Sequence, residues 1–255
     1  MELNFKKFGD KGQSILILHG FLGSLDNWIS IAKNLSVTNQ VYLIDQRNHG
    51  RSPHSEVMNY QVLANDVFDF LNQNNIENIV LIGHSMGGKT AMLFSLLYPS
   101  FVKKLIVVDI APVEYSGGHE FILDAMDELD LEKYENRLSI EKDLSKKIKA
   151  EVLLQFVLKN LGRTSDNKFI WKINLPFLIK CYRNLMAFPE SHTQFEGDTL
   201  IIKGGDSDYI DLDKMEKFKF LFPNLKIREI VGTGHWVQAE NPIMFLEVVK
   251  EFLLG

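Results

Sequence analysis

The stretch Asn78-Ile-Val-Leu-Ile-Gly-His-Ser-Met-Gly87 joins a short apolar run to a serine between two glycines, and it decides the fold. After Asn78 the run is wholly apolar and contains β-branched residues, which is typical of a strand buried on both faces of a sheet. Gly83-His84-Ser85-Met86-Gly87 then matches the pattern G-x-S-x-G. In that pattern the serine occupies a strained strand-to-helix turn, and bulky flanking residues would clash. We therefore predict that Ser85 is a nucleophile, with a plain tight turn as the alternative.

Further runs of the same kind indicate a parallel sheet covered by helices. They are Ser14–Leu18, Gln40–Ile44, Lys104–Val108 and Thr199–Ile202. Between the runs lie stretches with apolar residues at helical spacing, such as 60–72. Residues 242–254 repeat this spacing, with proline at the first helical position. Strands that alternate with helices predict an α/β fold whose central sheet is mostly parallel.

Residues 112–191 break this alternation. They contain helix-like stretches, such as 151–159 and 176–185, and no run comparable to the buried strands. We therefore predict a helical cap inserted into an α/β core formed by residues 1–111 and 192–255. Apolar side chains could line a substrate pocket there, although most of them could equally well hold the cap together. The residues predicted to contact substrate are Trp171, Met186, Phe121 and Trp236.

Composition restricts the classes of function. The chain has 255 residues, of which 45% are hydrophobic and 24% charged, as is usual for a globular protein. Its formal net charge of −5 provides no basic field for nucleic acid or anionic lipid. The single cysteine, Cys181, cannot form an internal disulfide, and its apolar neighbours favour packing over nucleophilic chemistry. We expect a cytoplasmic protein, a monomer or weak homodimer, that contacts neither nucleic acid nor membrane.

The sequence shows neither a signal peptide at its start nor a membrane span. Residues 1–10 lack the apolar block of a signal peptide, and nowhere do about 18 apolar residues run together. These features agree with the expected cytoplasmic location.

A serine hydroxyl needs a base to accept its proton. Among seven histidines, His235 is best placed, because it lies in the glycine-rich loop Val231-Gly-Thr-Gly-His-Trp236 between a predicted strand and the last helix. A structural histidine is the alternative. His84 adjoins Ser85 but should point away from it. The other histidines end a strand or lie in loops and polar surroundings: His19, His49, His54, His119 and His192.

Two aspartates compete for the third position, which holds the imidazole in the correct tautomer. Asp109 ends the strand at 104–108, and Asp208 follows the strand at 199–202. Both preserve the order serine, acid, histidine. Either loop could reach His235, and the remaining aspartate would be a turn or cap residue.

Acyl transfer also requires donors for the oxyanion of the transition state. The Met86 amide, directly after the nucleophile, is one. We expect the second from His19-Gly20-Phe21-Leu22-Gly23, where Phe21 is preferred to Leu22. Simple chain reversal is the alternative reading of this loop. No phosphate-binding or dinucleotide fingerprint is present, and we expect neither a metal nor an organic cofactor.

Five motifs in the same order resemble those of the α/β-hydrolase superfamily, over essentially the whole chain. They are His19–Asn27, Asp45–Ser52, Gly83–Lys89, Asp109–Val113 and Gly234–Trp236. Within the superfamily the chain is most similar to YbfF-type esterases. This resemblance implies a serine hydrolase without cofactor that cleaves small carboxylic esters or thioesters. It also favours Asp109 as the acid, although Asp206 and Asp208 depart from those relatives and keep Asp208 as an alternative.

The resulting prediction is two-step acyl transfer through an acyl-enzyme on Ser85. The same scaffold also supports carbon–carbon bond hydrolysis, perhydrolysis and lyase chemistry, because function lies in the site and not in the fold. Turnover of vinylogous diketones without ester turnover would favour that alternative. A ligand-binding protein without turnover is the second alternative, and a broken triad would be its signature.

Overall fold

The computed structural model describes all 255 residues and is built around one seven-stranded sheet. The elements of the first part of the chain are β1 (Phe5–Phe8), β2 (Ser14–Leu18), α1 (Ile29–Leu35), β3 (Gln40–Ile44), α2 (Tyr60–Gln73), β4 (Ile79–His84), α3 (Met86–Leu97) and β5 (Val102–Val108). An insertion follows, with α4 (Glu120–Asp127), α5 (Arg137–Leu144), α6 (Glu151–Leu158), β6 (Leu161–Arg163), β7 (Phe169–Trp171) and α7 (Leu175–Met186). The last part contains β8 (Asp198–Gly204), α8 (Leu212–Leu221), β9 (Leu225–Ile230), α9 (Val237–Glu240) and α10 (Pro242–Leu254).

The main sheet has the strand order β1-β3-β2-β4-β5-β8-β9. Only β1 runs antiparallel to its neighbour, so the predicted α/β fold with a mostly parallel sheet is confirmed. The carboxyl ends of parallel strands share one edge of a sheet, which is where α/β proteins assemble their sites. The segments that follow β2, β4, β5, β8 and β9 therefore meet at this edge.

The buried strands agree closely with the sequence prediction. Strands β2 and β3 have the expected bounds, and the ends of β4, β5 and β8 each differ from the expected ones by at most two residues. The edge strands β1 and β9 are different, because their sequences FKKF and LKIREI place lysine, arginine and glutamate on exposed positions. A strand with one exposed face and edge lacks the continuous apolar run that marks a central strand.

The insertion between β5 and β8 corrects one expectation. It contains the predicted helices α6 and α7, but it also contains an antiparallel hairpin of β6 and β7. Each strand of this hairpin is only three residues long. Segments this short carry no detectable period of alternation, so they cannot be predicted from the pattern of residues.

Side chains alternate between the two faces of the sheet. Along β2, Leu16 and Leu18 join a core with α2, α3 and the insertion, whereas Ile15 and Ile17 join a core with α1 and α10. This period of two is the geometry of any β-strand. Because the insertion shares a core with α2 and α3, it is packed on the same side of the sheet as the helix that follows Ser85.

The loop after β3 holds the edge of the sheet together. Asp45 accepts hydrogen bonds from the backbone of Leu25 at 2.7 Å and Arg51 at 2.9 Å. Arg47 makes a bidentate ion pair with buried Asp66, at 2.6 and 2.7 Å. A side chain at Gly50 would collide with the Asp45 carboxylate, so this turn requires glycine. These contacts give residues 45–52 a structural role at this edge of the sheet.

Two histidines of this region are buried and held neutral. His19 accepts a hydrogen bond at Nε2 from the Gln46 amide (2.9 Å), and its Nδ1 lies 2.8 Å from the Gly20 carbonyl oxygen. His49 accepts from the Leu22 amide at 3.3 Å, and its Nδ1 donates to the Arg47 carbonyl. Protonation of either ring would turn an acceptor nitrogen into a donor that faces another donor. Burial lowers the pKa of both, that of His49 to about 3.

We expect acid to destabilise the protein because of these histidines. In the unfolded chain a histidine is protonated below about pH 6.5, whereas buried His49 has a pKa of about 3 in the folded protein. Because the unfolded state then binds more protons than the folded state, the free energy of unfolding falls as the pH drops below 6.5. His49 alone should lower the free energy of unfolding by about 2 kcal/mol at pH 5 relative to pH 7.5. Urea unfolding at the two pH values measures the loss.

Two variants serve as controls for that measurement. His49→Gln should lose less stability on acidification than the native chain. His192 is exposed, so His192→Gln should lose as much stability as the native chain. Equal unfolding free energies at pH 5 and pH 7.5 would contradict the prediction.

Candidate active site

Ser85 lies on a sharp turn between β4 and α3. Its backbone has φ +53° and ψ −120°, a conformation that residues other than glycine seldom adopt. A Cβ atom at Gly83 would lie 2.2 Å from the Gly87 carbonyl oxygen, and one at Gly87 would lie 2.5 Å from the Leu18 carbonyl oxygen. Both flanking positions therefore require glycine. The turn places the Ser85 side chain on a cavity at the carboxyl edge of the sheet.

The His235 imidazole is paired with Asp109. Its Nδ1 lies 2.8 Å from Asp109 Oδ2, and the aspartate is fully buried at the end of β5. The other carboxylate oxygen accepts the Gly204 amide at 3.0 Å. Ser207 Oγ donates to Oδ2 at 2.5 Å, a short bond of the kind that charged acceptors form. Three donors thus hold the carboxylate in the orientation that directs His235.

The His235 ring is also held from its sides. Tyr209 stacks against it with ring centroids 3.8 Å apart and planes at 15°. His84 Nε2 donates to the His235 carbonyl oxygen at 2.8 Å. Burial lowers the pKa of His84 far below its usual value, so this ring stays neutral. His84 thus holds the backbone of His235 in place, a positioning contact that sequence reasoning missed.

The Asp208 carboxylate does not contact His235. Its side chain is exposed and makes no hydrogen bond, and its carbonyl oxygen accepts from Lys214 Nζ at 3.3 Å. Asp206 is exposed as well. The neighbouring Ser207 reaches the site instead. The structure therefore pairs His235 with Asp109 and places the alternative acid, Asp208, on the surface.

The loop after β2 leaves the Phe21 amide free at the cavity that Ser85 lines. Leu22 donates its amide to His49 and Gly23 donates to the Gly20 carbonyl oxygen at 3.0 Å, whereas the Phe21 amide has no acceptor within the chain. Met86 is the first residue of α3, and the first amides of a helix have no intrahelical partner. Phe21 and Met86 line the cavity with Ser85. Their amides are thus available to a bound oxyanion, and the Leu22 amide is not.

Glycine at position 20 permits this arrangement. A Cβ atom there would lie 2.8 Å from His84 Nδ1 and 3.2 Å from Ser85 Cβ. The loop can approach Ser85 this closely only because position 20 has no side chain.

The cavity around Ser85 has two lobes, and Phe21 and His119 border both. We call the first the Lys89 lobe; its other walls include Tyr60, Lys89, Tyr115, Leu185 and Met186. We call the second the His235 lobe; its other walls include Ile122, Leu153, Phe156, His235 and Trp236. Residues of the insertion line both lobes. Each lobe is mostly apolar, as small-molecule sites usually are.

The predicted substrate contacts are partly corrected. Met186 lines the Lys89 lobe and Trp236 lines the His235 lobe. Phe121 is 48% exposed and lines neither lobe. It lies on α4 next to Ile122, which does line the site, because successive helical residues point about 100° apart.

Trp171 is also placed away from the cavity. It ends the short hairpin strand β7, and its indole donates to the Met126 carbonyl oxygen at 3.3 Å. Its aromatic bulk fills space within the insertion, so the prediction of a substrate contact is corrected here too.

His119 was missed as a wall of the site. Its ring borders both lobes, and Nδ1 lies 3.3 Å from the Tyr182 hydroxyl. Burial, with a smaller contribution from His235, lowers the pKa of His119 to about 4, so the ring is neutral near pH 7. The sequence around it is polar and glycine-rich, and nothing in it indicated a buried histidine.

No three side chains of histidine, cysteine, aspartate or glutamate are grouped so that they could hold a metal ion. None of the helices has the length and apolar character needed to cross a membrane.

Comparisons with known proteins agree with this geometry. The family model described as alpha/beta hydrolase fold matches residues 13–242. An sn-1-specific diacylglycerol lipase, ABHD11, of Danio rerio is 38% identical over 99% of this chain and 83% of its own length. Esterase YbfF of Escherichia coli is 33% identical over 94% of this chain and 92% of its own length. A solved marine microorganism esterase is 43% identical, with a TM-score of 0.96 over 98% of this chain and 99% of that one.

Proposed function

The chain belongs to the α/β-hydrolase fold family and is a carboxylic ester hydrolase, and from this premise we propose that it cleaves small esters or thioesters through an acyl-enzyme on Ser85. His235 is the base and Asp109 the acid of the proposed triad. The observation that carries the proposal is the buried Asp109–His235 pair at 2.8 Å, in a cavity that Ser85 also lines.

The tautomer of His235 follows from this pair. A carboxylate only accepts hydrogen bonds, so Nδ1 carries the proton that it donates to Asp109. Nε2 is then left with a lone pair, as a base requires. When His235 takes a proton at Nε2, the buried carboxylate stabilises the resulting cation.

In the first step Ser85 Oγ attacks the substrate carbonyl carbon while His235 Nε2 accepts the hydroxyl proton. The carbonyl oxygen becomes an oxyanion, and the Phe21 and Met86 amides donate to it. Collapse of the tetrahedral intermediate breaks the bond to the alcohol or thiol, which leaves with the proton from Nε2. Ser85 then carries the acyl group as an ester.

The second step repeats this sequence with water. His235 Nε2 takes a proton from the water as its oxygen attacks the acyl-enzyme, and the same two amides bind the new oxyanion. Collapse releases the carboxylic acid and returns the proton to Ser85 Oγ. The reaction consumes one water and needs no redox partner.

We extend the proposal to the division of the chain. Residues 1–111 and 192–255 form the catalytic core, and residues 112–191 form a cap that closes the site from above. In support, the proposed triad lies entirely in the core segments, whereas His119, Phe156 and Met186 of the insertion contribute walls of the two lobes.

A fluorophosphonate probe tests the nucleophile directly. We expect one adduct, located on Ser85 by peptide mass spectrometry, because the probe reacts only with an activated serine. Urea-unfolded protein is the control and should not react. An adduct on Ser207 in place of Ser85, or no adduct on the folded chain, would contradict the mechanism.

A substrate panel separates esters from the alternative chemistry. Esters and thioesters of short acids should be turned over, and a vinylogous diketone should not. Turnover of the diketone alone would move the assignment to carbon–carbon bond hydrolysis.

A further inference from the structure

Lys89 is a buried cation in the wall of the active-site cavity. It lies on α3, four residues after Ser85, and it lines the same lobe of the cavity as Ser85. It is 2% exposed. Its Nζ donates to the carbonyl oxygens of Met186 at 2.6 Å and Ala187 at 3.0 Å. Two of its three donors are thus occupied, and one is left.

The surroundings of Lys89 contain no anion in contact with it. The Tyr115 ring centroid lies 4.8 Å from Nζ and the Tyr60 centroid 5.6 Å. Burial lowers the pKa of Lys89 to about 7; Glu114 favours the charged form weakly, and Lys217 opposes it. Carbonyl oxygens and ring faces offset only part of the cost of removing an ammonium from water.

The two other buried cations of the chain differ from Lys89 in this respect. Arg47 has both oxygens of Asp66 within 2.7 Å. Lys104 has Asp198 at 4.0 Å. Each of these cations braces the fold and has a carboxylate neighbour. Lys89 lacks one, and it is the cation that faces the nucleophile's cavity.

We propose that Lys89 binds the distal carboxylate of the acyl chain, so that the preferred substrates are half-esters or half-thioesters of short dicarboxylic acids. This inference rests on the proposed function and names its substrate class. A carboxylate bound there would supply the missing anion and accept the free donor of Nζ. Because Ser85 and Lys89 line the same lobe, one short acyl chain can place its ester carbonyl at Ser85 and its distal carboxylate at Lys89.

A purely structural role for Lys89 makes a different prediction. Its bonds to Met186 and Ala187 fasten the end of α7, and loss of this contact alone would reduce the turnover of every substrate alike. A binding role changes the ratio between charged and neutral acyl chains. The informative quantity is therefore the ratio of kcat/KM for two substrates of the same shape.

Monoethyl glutarate and ethyl glutaramate provide such a pair, because they differ only in a terminal carboxylate or amide. At pH 6, below the pKa of about 7, Lys89 is protonated. We expect the native protein to hydrolyse the carboxylate-bearing ester with at least tenfold higher kcat/KM. A ratio at or below one would overturn the proposal, and this result needs no variant.

Variants assign the preference to Lys89. Lys89→Met should lower the ratio at least tenfold, while Lys89→Arg, which keeps a cation, should retain a preference above one. Lys214→Met is the matched control, because Lys214 lies 5.3 Å from the same Tyr115 ring but does not line the lobe. An unchanged ratio in Lys89→Met would overturn the proposal. If this variant does not fold, the native ratio and Lys89→Arg decide.

The experiment also separates this inference from the proposed function. Turnover of ethyl glutaramate without a preference for the charged ester would refute the role of Lys89 and leave the triad intact. Turnover of neither ester, together with no fluorophosphonate adduct at Ser85, would refute the proposed function itself.

Discussion

Replacement of Ser85 by alanine is expected to lower kcat by roughly 10⁵–10⁶-fold. The variant keeps the oxyanion donors and the cavity, but it lacks the oxygen that forms the acyl-enzyme. The members of a triad act as a unit, so His235 and Asp109 cannot compensate. Steady-state turnover of a short acyl ester measures the loss.

Ser95→Ala is the matched control for Ser85→Ala. Ser95 lies on the same helix, and its buried hydroxyl donates to the Ala91 carbonyl oxygen at 2.9 Å. Its loss tests whether disturbance of α3 alone reduces the rate, and we expect kcat to stay within about threefold. If Ser85→Ala keeps a tenth of the native activity, Ser85 is not the nucleophile.

Replacement of Asp109 by asparagine is expected to lower kcat by roughly 10⁴-fold, the effect of removing the acid from such a triad. The amide can donate to Nδ1 and thereby place the ring proton on Nε2, where it blocks proton acceptance. Asp208→Asn should change kcat by less than about twofold, because its side chain is exposed and unbonded.

The comparison of these two variants requires a check on folding. Asp109 also accepts the Gly204 amide, and weakening of that bond could destabilise the end of β8. Urea unfolding of both variants shows whether the folded fraction is unchanged under assay conditions. A larger loss for Asp208→Asn than for Asp109→Asn in folded protein would transfer the acid role.

The sequence predicted those strands and turns that can be recognised from their own residues. Strands β2, β3, β4, β5 and β8 are apolar on both faces, and the glycines at 83 and 87 mark a turn that no larger residue could make. Parallel strands bring their carboxyl ends together, so Ser85, Asp109 and His235 could be expected at one edge. Strands β1 and β9 carry no such signal.

The choice between the two acids could not be made from local sequence. Asp109 and Asp208 follow neighbouring strands, β5 and β8, and both loops reach the same edge. Side-chain direction separates them, and it depends on the φ of +49° at Asp109 and on the Ser207 hydroxyl that meets it. Such contacts are tertiary and have no pattern along the chain.

The walls of the cavity were the least predictable part. Apolar residues of the insertion are needed both to pack its helices and to line the lobes, and composition does not separate these uses. The rotation of α4 decides that Ile122 lines the site and Phe121 does not. The position of Lys89 could not be predicted either, since a lysine on an apolar helix gives no sign of where its amine lies.

The hydrogen bond between His84 and the His235 carbonyl joins residues 151 positions apart. On the ribosome, the turn that holds Ser85 emerges long before the loop that holds His235. In the proposed mechanism, a nascent chain therefore carries its serine without a base and forms no acyl-enzyme with the metabolites that it meets during synthesis. On this proposal, catalytic competence arises only when the loop after β9 has reached β4, and we expect the onset of esterase activity in a translation reaction to report this late step of folding.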